Sequence, residues 1–147
     1  MSAGRDAMPA AFGERFARNA AAGMAGLGLF AAIAVVVQGG LFPFVSTAAC
    51  LALSYFFRRR ARQDEAGGRR AVEDERDRAF VARGDRVFRL AASTWMVGLA
   101  AALAVPPVRE VLAVPALRVP GLLLLGVAVA NAAGHATVAA LYRRDRA

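Results

Sequence analysis

Apolar positions along the chain gather into four long blocks separated by short polar breaks: about Ala20–Val37, Leu41–Phe57, Leu90–Val105 and Gly121–Tyr142. Each block is long and continuous enough to enter a bilayer as a helix. The second is the tightest fit. From Pro43 to Phe57 a helix reaches about 22 Å at 1.5 Å per residue, against a hydrocarbon core of about 30 Å. This helix is therefore expected to run on through Arg58–Arg62, whose side chains can snorkel to the headgroups. Pro43 suits its first turn, where the missing N–H costs nothing.

The connections define the order of the helices. Gln38-Gly39-Gly40 is so short that the first two spans are expected to be antiparallel neighbours. Gln63–Arg70 reads as a linker, with Gly67-Gly68 as its break. Glu73, Asp74, Glu75, Arg76 and Asp77 then read as a helix start, because acidic residues in a first turn suit the helix dipole. Asp74–Arg78 and Asp85–Arg89 are spaced for i,i+4 pairing, and Phe80, Gly84, Val87, Phe88 and Ala91 share one face. No breaker follows before Val105, which leaves room for one helix from about Val72 through the third span. Pro106-Pro107 should end it, and Val108–Val114 reads as a short interfacial helix carrying Arg109 and Glu110.

Small residues four apart, Ala22 with Gly26 and Gly126 with Ala130 and Gly134, predict inward faces where helix backbones approach closely. Phe12 and Phe16 are placed on the membrane surface ahead of the first span. The fold expected is all-α: an integral membrane four-helix bundle made of two transmembrane hairpins. Its parts are a tail at 1–19, a first hairpin at 20–57, a charged connection at 58–89, a second hairpin at 90–142 and a tail at 143–147.

Charge sets the orientation. All 19 basic residues are arginines: 3 precede the first block, 11 lie between Arg58 and Arg89, and 3 follow the fourth. Only Arg109 and Arg118 fall elsewhere. Cytoplasmic loops retain basic residues, so both termini and residues 58–89 are assigned to the cytosol and the chain to the plasma membrane. Arginine can also fork onto phosphates, which makes Arg58, Arg59, Arg60 and Arg62 candidate contacts for anionic headgroups, beside a plain topological role. A net charge of +8 and a pI near 11.4 would suit nucleic-acid binding in a soluble domain. Here the arginines sit at the ends of apolar blocks and no basic face has its own fold, so nucleic acid is not expected. The run after Arg15 and Arg18 is longer than a signal-peptide core and lacks a cleavage pattern, so it reads as a retained anchor.

Little in the chain suggests catalysis. There is no zinc-protease, serine-hydrolase, nucleotide or dinucleotide motif, so neither enzyme activity nor a cofactor is expected. Cys50, the single cysteine, cannot form an internal disulfide or a paired metal site and reads as a small buried hydrophobe. Glu73 and Asp77 share a helical face, but nearby arginines compete for them, so a salt-paired helix start is read there rather than a metal site. Asn131 and His135, four apart in the fourth block, form the one polar pair inside a span. Such a pair serves as an interhelical hydrogen-bonding element, with Ser93, Thr94, Ser46 or Thr47 as partners, as a proton or substrate path, or, as the least favoured reading, as a metal or haem ligand.

The size and span count are similar to small multidrug transporters, which depend on a membrane-embedded carboxylate in the first helix. Here the first span has none, and Glu14 lies outside it beside Arg15. The segment Glu73-Asp74-Glu75-Arg76-Asp77 between the second and third spans resembles instead a family of predicted prokaryotic four-span membrane proteins of unknown function. That family carries an Asp-Glu-Arg-Asp/Glu signature at this place. The resemblance covers the span layout and about residues 72–100, and it implies that the cytosolic signature is the functional handle. The expected function is that of a non-enzymatic interaction, accessory or regulatory protein with a membrane or cytosolic protein partner. The competing reading is a small oligomeric transporter or permease component built around Asn131 and His135.

Overall fold

The structure, a computed structural model, describes residues 12–67 and 75–145. It is all-α, with no strand among the described residues. Helix α1 covers Phe12–Phe30 and passes into a π-helical segment, Ala31–Val37. Helix α2 follows as Leu41–Gly67, then α3 as Glu75–Ala104, α4 as Pro106–Ala113 and α5 as Arg118–Asp145. Among the described residues three helices are long and apolar enough to cross a membrane, Phe16–Val37, Glu75–Ala104 and Arg118–Asp145, while Leu41–Phe56 is a shorter apolar helix.

Helix α5 lies between the other two long helices, which pack along opposite sides of it and are held apart by it. One side is lined by glycine and alanine facing α1. A Cβ added at Gly28 would sit 3.7 Å from Ala128 Cβ, and one at Gly121 would meet Val35. The buried positions of the first helix, Glu14, Ala17, Met24, Gly28, Ala31 and Val35, follow a three-and-four spacing that keeps one stripe on α5. The opposite side of α5 faces α3. Gly134 lies against Gly84 and Phe88, and Gly126 leaves a notch filled by the Trp95 ring. The Trp95 indole N–H donates to Leu122 O at 2.9 Å, the carbonyl one turn before Gly126. A buried indole donor is thereby satisfied without a polar side chain.

The inward face expected for Gly126, Ala130 and Gly134 is present, with all three buried. The face expected at Ala22–Gly26 is not. Gly23 and Gly26 have nothing within 4 Å of an added Cβ, and the close approach is made by Gly28 instead. Four-residue spacing marks a smooth surface, but the register of the buried stripe decides which side turns inward.

Helix α2 touches α1 itself little and packs on the first span mainly through the π segment next to the connection. Its apolar side chains stay open, with Phe42 82% and Tyr55 70% exposed. Cys50, expected to be buried, is exposed on this helix. The stretch read as a linker is helical as far as Gly67, so α2 does continue through Arg58–Arg62. Residues 68–74 lie outside the described residues.

The end of the layer that carries the 38–40 connection and α4 is tied by a close backbone approach and one arginine side chain. Gly39 adopts φ +67, a conformation open to glycine, and an added Cβ would strike Pro115. Arg118 donates from Nε to Val36 O at 3.1 Å and from Nη1 to Val111 O at 2.5 Å. One guanidinium thus satisfies a carbonyl at the end of the π segment and another in α4, both of which lack a partner within a helix end. Pro106 stands at the start of α4, where proline is tolerated, so the diproline both ends α3 and begins the short helix that follows.

Candidate functional site

The question left open by the sequence, whether the charged connection joins the third span, is answered by α3. It runs unbroken from Glu75 to Ala104. The described part of the signature, Glu75, Arg76 and Asp77, therefore sits on the first turn of a long helix, and its members take different roles. The Tyr142 hydroxyl of α5 donates to Asp77 Oδ1 at 2.7 Å. Arg76 pairs with Asp145 and stacks over the Phe80 ring, 5.4 Å from its centroid. Phe80 in turn meets Tyr142 edge to face at 5.1 Å. Arg76 and Asp77 thus clasp the last turns of α5, and Glu75 beside them is exposed. Glu73 and Asp74 lie outside the described residues, as does the expected Asp74–Arg78 pair. Asp85 and Arg89 are both exposed and do not join.

The clasp has limited energetic weight. The Arg76–Asp145 side chains are 46% and 37% exposed, and pairs in that setting contribute about 0–1 kcal/mol. The aromatic contact and the Tyr142–Asp77 bond carry more of the specificity, since they fix both distance and direction.

Asn131 and His135 both lie on α5 and are half-buried. The Asn131 amide donates to Val127 O at 2.9 Å, within its own helix. His135 lies on the α1 side of α5, with its ring 6.3 Å from Phe16 in an edge contact. Phe16 is thus engaged with the bundle, although 38% of it remains exposed. Ser93 and Thr94 are exposed on α3. Ser46 bonds to Pro43 O at 3.0 Å. Thr47 is fully buried, and its hydroxyl has no hydrogen-bond partner among the described residues. Its usual acceptor, the carbonyl of Pro43 one turn back, receives Ser46 instead.

Depth along the layer follows from register. Gly84 against Gly134, Trp95 against Gly126 and Phe80 against Tyr142 make α3 and α5 antiparallel. Asn131 is then level with about Arg89, and His135 with about Asp85. Both polar residues are level with the charged half of α3, not with its apolar half.

Two residues were missed in the sequence. Glu14 is placed outside the first span, and it does precede Phe16–Val37, yet it is only 4% exposed and lies on the stripe that faces α5. Its three-residue spacing from Ala17 was the available signal. Tyr142 was read as the end of an apolar block; nothing in its neighbours pointed to Asp77, 65 positions away. The side chains of Arg58, Arg59, Arg60 and Arg62 lie outside what is described, although their backbone is helical. No group of three or more His, Cys, Asp or Glu suited to a metal occurs among the described residues.

No protein-family model, curated protein or solved structure matches this chain.

Proposed function

We propose that the chain is a four-span plasma-membrane protein with cytosolic termini that acts by interaction, through the clasped end of α3 and α5. The supporting observation is the unbroken passage of α3 from an apolar half into a charged half that is fastened to α5. A surface held this way is presented at a fixed distance and angle, which suits recognition of a protein partner. The uncovered apolar side chains support the membrane reading, since soluble proteins rarely leave contiguous apolar patches of this extent. In that reading Leu41–Phe56 is the fourth span, extended by the helical arginine turn that follows it. The signature resemblance adds a family of the same layout but no activity.

The exposed residues are the ones to test. Reversing Glu75 to Lys and Asp85 to Lys should abolish cross-linking to a partner in native membranes while leaving insertion intact. Cross-linking that survives both reversals would refute the docking role. A second reading, a small oligomeric transporter, gains from the burial of Glu14 and the seat of His135 against Phe16, which put titratable groups at the α1–α5 seam. Loss of a pH-dependent flux in a stable His135→Ala protein would favour it.

A further inference from the structure

Three arginines of α3 belong to neither the clasp nor the packing. Arg83, Arg86 and Arg89 are exposed, and none makes an ion pair or side-chain hydrogen bond among the described residues. Their three-residue spacing keeps them on one side of the helix, turned from the Gly84–Phe88 face that meets α5. On the same outward side, one to three turns further along, Leu90, Met96 and Val97 are 61%, 54% and 70% exposed. The helix surface therefore changes from open apolar side chains to open guanidinium groups within a single turn.

We propose that Arg83, Arg86 and Arg89 form a binding site for the phosphate of anionic phospholipids at the cytosolic face of the bilayer. The proposal rests on the membrane reading above. The apolar half of α3, Leu90–Ala104, is about 22 Å long, short of a core of about 30 Å. Bilayer thickness therefore draws Arg89 and Arg86 to the boundary. Helical side chains lean toward their own N-terminus, and α3 has its N-terminus on the cytosolic side. All three arginines thus lean toward the headgroups rather than into the core, the direction in which snorkelling is cheapest. Their donor forks are unspent, and a phosphate is the planar-donor partner that arginine fits best. Asp85 beside them lowers the net charge but leaves the forks free.

The test is reconstitution of the full chain in equimolar phosphatidylcholine–phosphatidylglycerol vesicles, followed by native mass spectrometry of the extracted protein. The parent should retain phosphatidylglycerol over phosphatidylcholine. Arg86→Gln should lower that enrichment about fivefold, and the triple Arg→Gln change should compound the fall. An unchanged enrichment in both variants overturns the site. So does displacement of the lipid by inorganic phosphate beyond what chloride of equal ionic strength achieves, because the ligand would then be a soluble anion. Resistance of the parent to carbonate extraction is scored separately: if the parent washes off, the membrane reading itself has failed. Arg86→Gln leaves Arg83 and Arg89 to hold topology, so it decides the matter even if the triple variant does not insert.

Discussion

Gly84→Ala places a methyl group where two helix backbones touch. An added Cβ would lie 2.5 Å from Val138 Cγ2 and 2.9 Å from Gly134 O. The valine methyl can turn aside, but the carbonyl belongs to α5 and yields only if the helices separate. Overpacking of this kind costs about 1–3 kcal/mol, and alanine returns up to about 1 kcal/mol through helix propensity. The expected net loss is about 1–2 kcal/mol. Gly23→Ala is the matched control, since nothing lies within 4 Å of its added Cβ and only the propensity gain applies. The single tryptophan reports directly, because Trp95 sits in the α3–α5 seam. Denaturant titration of the detergent-solubilised chain, followed by Trp95 fluorescence, should show an earlier midpoint for Gly84→Ala and an unchanged or later one for Gly23→Ala. Equal midpoints for the two variants would refute the close approach of these helices.

Other expectations concern the two ends of the layer. Tyr142→Phe keeps the ring contact with Phe80 and removes the bond to Asp77, so it should cost about 1 kcal/mol and speed amide exchange over the last turn of α5. Unaltered exchange there would show that the clasp holds without the Tyr142–Asp77 bond. Arg118→Ala frees the carbonyls of Val36 and Val111, and exchange should rise together in the π segment and α4, with about 1–2 kcal/mol lost. A rise confined to one of the two segments would show that Arg118 does not join them.

The helices were legible because apolar block length and breakers are local properties. Pro106-Pro107 ended α3 as read, and the lack of any breaker between Val72 and Val105 pointed to the continuous helix found from Glu75. Partnership was not legible. Gly126, Ala130 and Gly134 announced a smooth face, but nothing local told that Trp95 and Gly84 would fill it. Ala22 and Gly26 announced another with the same spacing and face away from the bundle, because burial of Met24 and Gly28 sets the rotation of α1. The π segment had no signal either. Its apolar run, Ala31–Val37, reads equally well as α-helix, and its C-terminal end is completed by Arg118, the first residue of the distant α5. The polar pair was found by its residue types, whereas its depth depended on the register of α3 against α5, which no single segment contains.

The central claim is a sided membrane protein whose charged α3 half faces the cytosol, and cysteine accessibility in intact cells tests it most directly. In a Cys50→Ala background, Ala79→Cys on α3 and Val111→Cys on α4 both place an exposed thiol at opposite ends of the layer. A membrane-impermeant maleimide should label position 111 in intact cells and reach position 79 only after permeabilisation. Labelling of position 79 in intact cells, or protection of position 111, would contradict the account.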